Sequence, residues 1–165
     1  MGIQQMVMGG GAAGFDGSYS DLATSMTNSQ GSATLANLHK MFDGDGTTDG
    51  WGGGVNGTAA AVVSFTDVDG VLQWSSKIEI MGGMGATSGQ VGGASGFMRV
   101  NGYDIVPEMK AANQYHLGSP YVYVDITSKV GGSGTLSSIT LQWIGGKANP
   151  NYWGIKLDNV ELVDT

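Results

Sequence analysis

The sequence contains no cysteine, which excludes disulfides, thiolate metal sites and cysteine nucleophiles together. Basic residues are scarce as well: seven Lys and Arg stand singly along 165 residues, against fourteen Asp and Glu, for a net charge of −7. Nucleic-acid binding needs basic side chains gathered along a phosphate track, so no nucleic-acid partner is expected. No apolar run approaches the ~20 residues of a membrane-spanning helix. Residues 1–14 lack the basic start and apolar centre of a signal peptide. A soluble chain made in the cytoplasm, with no membrane partner, is the expectation. Only three prolines accompany thirty glycines. Without a Gly-X-Y period this excludes collagen and points to many tight turns between short strands. Charged residues make up 13% and hydrophobic residues 41%, the reverse of a disordered chain's balance, so one folded domain is expected.

What is present is strand-like. At the end of the chain Trp153, Ile155 and Leu157 alternate with Lys156, and Val160 and Leu162 alternate with Glu161. The pair between them, Asp158-Asn159, tolerates the positive φ of a two-residue hairpin. Residues 59–65 are small and β-branched, Ile78 and Ile80 flank Glu79, and Phe97, Arg99 and Asn101 alternate with Met98 and Val100. Val122, Val124 and Ile126 fall on one face, with Tyr121, Tyr123, Asp125 and Thr127 on the other; Ile139, Leu141 and Trp143 repeat the pattern. Asp69-Gly70, Gly82-Gly83, Gly92-Gly93, Asn101-Gly102, Gly131-Gly132 and Gly145-Gly146 supply turns between these runs. Residues 21–26 and 33–38 each have room for a turn or two of helix. The expected fold is all-β, an antiparallel β-sandwich over residues 18–165, with its strand core over 55–164. Residues 1–17 precede it as an extended N-terminal arm. In that arm Ile3, Met6, Val7 and Met8 stand ahead of a glycine swivel, as an apolar patch suited to docking on a partner; the competing expectation is an ordinary frayed terminus.

Three stretches carry a family resemblance. They are Phe42-Asp43-Gly44-Asp45-Gly46-Thr47-Thr48-Asp49-Gly50-Trp51, Gly132-Ser133-Gly134-Thr135-Leu136-Ser137-Ser138-Ile139, and the closing run from Trp153 to Asp164. The first resembles the opening of galactose-binding-like, discoidin-type jelly rolls. Together they resemble the β-sandwich modules of fibre and decoration proteins of tailed bacteriophages, marine and cyanobacterial phages especially, over residues 37–165. Asn159 stands where that family commonly has glycine, a benign change because Asn also adopts the left-handed region. The resemblance implies a jelly roll and a virion structural protein, either a capsid decoration (cement) protein or a head or tail fibre component. Its partners would be other capsid or tail subunits and further copies of itself, as in a homo-oligomeric trimer. Such modules serve as adhesins or building parts more often than as enzymes, so binding without catalysis is the expectation.

Candidate chemistry is sparse. Asp43, Asp45 and Asp49 place carboxylates on a glycine-rich loop, the oxygen-rich kind of site that holds calcium, and discoidin-like loops hold a structural calcium there. Gly54 stands where an EF-hand would need its bidentate Glu. The competing expectation is that Asp43-Gly44 and Asp45-Gly46 are turn formers whose carboxylates cap nearby amides. His39 and His116 are the only histidines, and no His-x-x-x-His or Gly-x-Ser-x-Gly pattern accompanies them. No enzyme is therefore expected. Trp143 and Trp153 fall on apolar faces and suit the core. Tyr121 and Tyr123 lie on the polar face of their run, where they suit contact with a glycan or a neighbouring subunit. A carbohydrate-binding or host-receptor-binding module is accordingly the alternative function.

Overall fold

The computed structural model describes residues 14–29, 33–47, 50–52, 60–86, 95–114, 121–144 and 148–165. The arm residues Ile3, Met6, Val7 and Met8, as well as Asp49 and His116, lie outside them. The described strands are β1 (Ala23–Thr27), β2 (Trp51–Gly52), β3 (Ala61–Phe65), β4 (Gln73–Trp74), β5 (Ile78–Ala86) and β6 (Ser95–Val100). They continue with β7 (Tyr103–Asp104), β8 (Tyr123–Asp125), β9 (Gly134–Thr135), β10 (Ser138–Ile144), β11 (Ala148–Leu157) and β12 (Val160–Glu161). Every pairing among them is antiparallel. One sheet runs β1-β3-β10-β6-β7, and the other runs β12-β11-β5-β8 with β2 also on β11; β4 and β9 form a separate ribbon. The chain crosses between the sheets at each main strand, so that β3, β6 and β10 face β5, β8 and β11. The fold is the all-β antiparallel sandwich expected from the alternation.

Alternation explains the core. In β3, Ala61, Val63 and Phe65 are buried while Val62 and Ser64 are half-buried. Met98, Val100, Ile139 and Leu141 join them in the core, which Ile78, Ile80, Val124, Ile155 and Leu157 complete from the other sheet. Burying each such side chain contributes about 1.5–3 kcal/mol. At the centre Tyr152 is wholly buried beside Trp51, with ring centroids 6.2 Å apart. Although it belongs to β11, its hydroxyl lies 2.8 Å from the carbonyl oxygen of Arg99 in β6 and 3.3 Å from that of Thr140 in β10. Donation to those carbonyls ties one sheet to the backbone of the other. Burial pushes this phenol well above its ordinary pKa.

Several sequence expectations change. Of residues 21–26 only Asp21 and Leu22 are helical, in a 3-10 turn over Ser20–Leu22 that leads straight into β1, because Ala23–Thr27 pairs with β3. The helix expected at 33–38 forms as a 3-10 helix shifted to Leu35–Met41, and the strand core begins at Ala23 rather than 55. Gly82 and Gly83 do not turn the chain. They lie inside β5, where a Cβ on Gly82 would stand 2.8 Å from the Asn151 carbonyl oxygen and one on Gly83 2.5 Å from that of Gln114, so close backbone approach requires them. Asp69 and Gly70 do adopt positive φ, 55° and 75°, yet the segments they join are not paired with each other. Two helices went unforeseen, α1 (Val106–Ala111), entered through Pro107, and α2 (Thr127–Val130). The second cuts short the alternation of 121–127: only Tyr123–Asp125 is strand, and Val122 is 48% exposed.

The ends of the described chain are fastened together. Phe15, Tyr19, Phe42 and Phe65 form a chain of rings with centroids 4.6, 5.9 and 6.4 Å apart. Ser20 donates from its amide and hydroxyl to the Asp164 carboxylate at 3.1 and 2.7 Å. The Thr165 amide donates to the Gly17 carbonyl at 3.0 Å. Residues 14–17 are thus already tied to the body, ahead of the boundary placed after residue 17.

Candidate functional site

The outward face of the second sheet gathers Tyr121, Tyr123, Trp153 and the Asp-Gly loop. Inward Ile78 and Ile80 leave Glu79 and Met81 pointing out of β5. The register sets Tyr123 opposite Met81 and Met81 opposite Gly154; the next row is Asp125, Glu79, Lys156 and Glu161. Between Tyr152 and Gly154 the register slips. Trp153 is the extra residue of that bulge, which lets Tyr152 and Ile155 both reach the core. Trp153 is buried but outside the main core cluster, under Tyr121, whose ring stacks on it at 3.9 Å and 22°. The expected core placement of Trp153 is therefore corrected: the bulge turns it to the outer side.

Gly154 makes room for Tyr123. A Cβ there would collide with the Tyr123 hydroxyl and stand 3.2 Å from Cζ. Without it the phenol lies across β11 and donates to the Glu161 carboxylate. Lys156 Nζ stands 3.8 Å from the centroid of the same ring, a cation–π contact. Burial, then the bond to Glu161, push the Tyr123 phenol far above its ordinary range, and burial raises Tyr121 too. Both tyrosines are half-buried, and Tyr123 spends its hydroxyl and one ring face within its own sheet.

The Asp-Gly loop reaches this same face. A Cβ on Gly46 would lie 2.8 Å from Met81 Sδ, and one on Gly50 2.9 Å from Trp153 Cδ1, so these glycines let the loop lie flat. Asp43 accepts the Asp45 amide at 2.8 Å, and Asp45 accepts the Thr47 amide at 2.8 Å and its hydroxyl at 2.6 Å. These are the capping bonds of the turn-forming alternative. No group of three metal-ligating side chains forms among the described residues. As turn formers alone, Asp43 and Asp45 predict a melting temperature that neither calcium nor a chelator moves, measured on metal-stripped protein. His39 is exposed, with Nδ1 3.1 Å from the Ala36 carbonyl of its own 3-10 helix.

No family model, curated protein or solved structure matches the chain.

Two polar centres that sequence reasoning passed over hold the sandwich's turns. Asp158, at φ 50° in the hairpin between β11 and β12, accepts from the amides and hydroxyls of Ser75 and Ser76 and from the Lys77 amide, at 2.8–2.9 Å. Asn101, at φ 49° in the hairpin between β6 and β7, accepts through Oδ1 from the Ser137 amide and hydroxyl and the Ser138 amide, at 2.8, 3.0 and 3.2 Å. Both follow one design. A left-handed Asx residue at a tight hairpin receives a Ser-Ser pair, and the two pairs lie just beyond β4 and β9 of the small ribbon. The signal was in the sequence as Ser75-Ser76 and Ser137-Ser138, but only the fold shows which turn each one meets.

Proposed function

We propose that this chain is a non-catalytic structural component of a tailed-bacteriophage particle, a jelly-roll decoration (cement) or fibre protein attached through the residues that precede Gly14. The supporting observation is how the root of that segment is fastened. The Phe15 amide donates to Asp69 at 3.3 Å, and the ring chain from Phe15 leads to Phe65 in the first sheet. Ser20 meanwhile holds Asp164, just beyond β12 of the second sheet. A pull on residues 1–13 is thereby shared by both sheets, as a tethering role requires. Apolar Ile3, Met6, Val7 and Met8 supply surface to bury on a neighbouring capsid or tail subunit, and self-association belongs to the same role.

A chain beginning at Gly14 is expected to melt like the full chain, because the fastenings among the described residues lie at or beyond Phe15. It is also expected to lose most of its co-sedimentation with particles that carry the full chain. Equal co-sedimentation would overturn attachment through this segment. The stack of Tyr121 on Trp153 favours a second reading, a glycan- or receptor-binding module. That reading requires the chain beginning at Gly14 to retain full sugar binding on a glycan array, and loss of that binding in Tyr121→Ala.

A further inference from the structure

The outer strands of the two sheets are not alike. The first sheet ends at β1 and β7, the second at β12 and β8. Strands β7 (Tyr103–Asp104), β8 (Tyr123–Asp125) and β12 (Val160–Glu161) are two or three residues long, and each finishes on a carboxylate. Short strands and charged side chains are how folds keep a sheet edge from pairing with another chain. β1 has neither guard. It runs five residues, Ala23-Thr24-Ser25-Met26-Thr27, with no charge and no proline, and the sequence carries no Asp, Glu, Lys or Arg from Leu22 to His39. Its register slips only at the start, between Ala23 and Ser25, so Ser25, Met26 and Thr27 sit regularly against Ser64, Val63 and Val62 of β3. Ala23 and Met26 pack toward the core, while Thr24, Ser25 and Thr27 are exposed. Among the described residues no strand pairs with the outer side of β1, where the outward N–H and C=O groups of an edge strand offer a template for one more strand.

We propose that β1 is where a second copy of this chain adds on, β1 pairing antiparallel with β1 about a two-fold axis so that two five-stranded sheets become one. The charge of the chain argues for that occupant. At −7, two copies repel each other over most of their surface, and self-pairing at β7, β8 or β12 would bring carboxylates together. β1 brings none. A basic strand from some other protein would find no carboxylate on β1 to pair with, so nothing favours it over a neutral one. Centred on Met26, the pairing sets Ser25 of each copy opposite Thr27 of the other, a hydroxyl pair of the kind that stabilises sheets. Met26 then meets its own counterpart on the core side, where an adaptable side chain closes the seam. Three regular residues make a small interface, so the association is weak. The dimer goes beyond the particle role: it gives self-association a two-fold axis in place of a threefold one and carries two N-terminal segments, whose weak attachments act together. It is a property of the isolated chain, so it can fail or hold whichever way particle attachment turns out.

Sedimentation equilibrium of the full chain from about 10 μM to about 1 mM is expected to show monomer and dimer, and no trimer. Ser25→Glu with Thr27→Glu sets like charges directly opposite across the seam and should weaken the dimer about tenfold or more, an effect that high salt reduces. Ser25→Lys with Thr27→Lys should do the same. Mixed in equal amounts, the two variants are expected to form a heterodimer at least as tight as the parent dimer, because Glu then faces Lys, an outcome that requires β1 against β1. Both positions are exposed, so each variant should melt like the parent at about 1 μM, where a weak dimer has dissociated. Should a double variant not fold, Thr27→Glu and Thr27→Lys alone carry the same comparison. A parent that stays monomeric throughout, a trimer, a dimer that both variants leave intact, or a mixture that associates no better than its separate components would each overturn the proposal.

Discussion

Tyr152→Ala is expected to lower stability by about 3–5 kcal/mol, the range for removing a buried aromatic ring, and to depress the melting temperature by roughly 10 °C or more in a chain of this size. The ring fills the space beside Trp51, and its hydroxyl serves the carbonyls of Arg99 and Thr140 across the sandwich. The two contributions separate in Tyr152→Phe, which keeps the ring and removes the inter-sheet bond. That variant should cost about 1–3 kcal/mol, the penalty for leaving buried polar groups short of a partner. Chemical denaturation of the three proteins checks both figures. A phenylalanine variant as stable as the parent would mean that Tyr152 acts by packing alone and that the hydroxyl does not tie the sheets.

Tyr152 also marks how far a sequence can be read. Alternation at Ile139 and Leu141 and at Ile155 and Leu157 was legible because period two leaves apolar residues on one face of any strand. The Asp158-Asn159 and Asn101-Gly102 hairpins were legible because their residues tolerate the left-handed region both turns use. Tyr152 itself was not, since a single bulge breaks the alternation and swaps which aromatic enters the core. Period two put Trp153 inside with Ile155; the extra residue at the bulge puts Tyr152 there and sends Trp153 to stack with Tyr121. Glycines misled in the same way. Gly82 and Gly83 look like a turn pair, but their reason is the Asn151 and Gln114 backbones pressing against β5, a long-range fact. Residues 21–26 were undecided by propensity, and β1 forms there because β3 offers an edge. The outer-face cluster was visible only as separate pieces: Tyr121, Tyr123 and the Asp-Gly loop were each noticed, and their meeting over Met81 and Trp153 is a product of the sheet register.

Asp158→Ala is expected to be the most damaging single change at any turn, because it removes five accepted hydrogen bonds at once and leaves a β-carbon residue at φ 50° without the local bonding that lets Asp and Asn adopt that conformation. Asp158→Asn keeps the backbone preference and one acceptor oxygen, but it removes the titrating charge together with the bonds accepted by the other oxygen. Hydrogen bonds, led by that from the Ser75 amide and followed by those from the Ser76 and Ser75 hydroxyls, hold this carboxyl well below the usual aspartate range. A depressed folded-state pKa stabilises the fold at every pH above the unfolded value, about 3.9, and that stability is lost as pH falls below it toward the folded value. The melting-temperature gap between the parent and Asp158→Asn should therefore be constant from neutral pH to about pH 5 and narrow below about pH 4. At neutral pH, hydrogen exchange at the Ser75, Ser76 and Lys77 amides should accelerate in both variants, more in the alanine one, while the Ser137 and Ser138 amides held by Asn101 stay protected. A gap that acid leaves unchanged, or amides that exchange at the parent's rate in Asp158→Ala, would show that the hairpin holds its shape without the carboxylate.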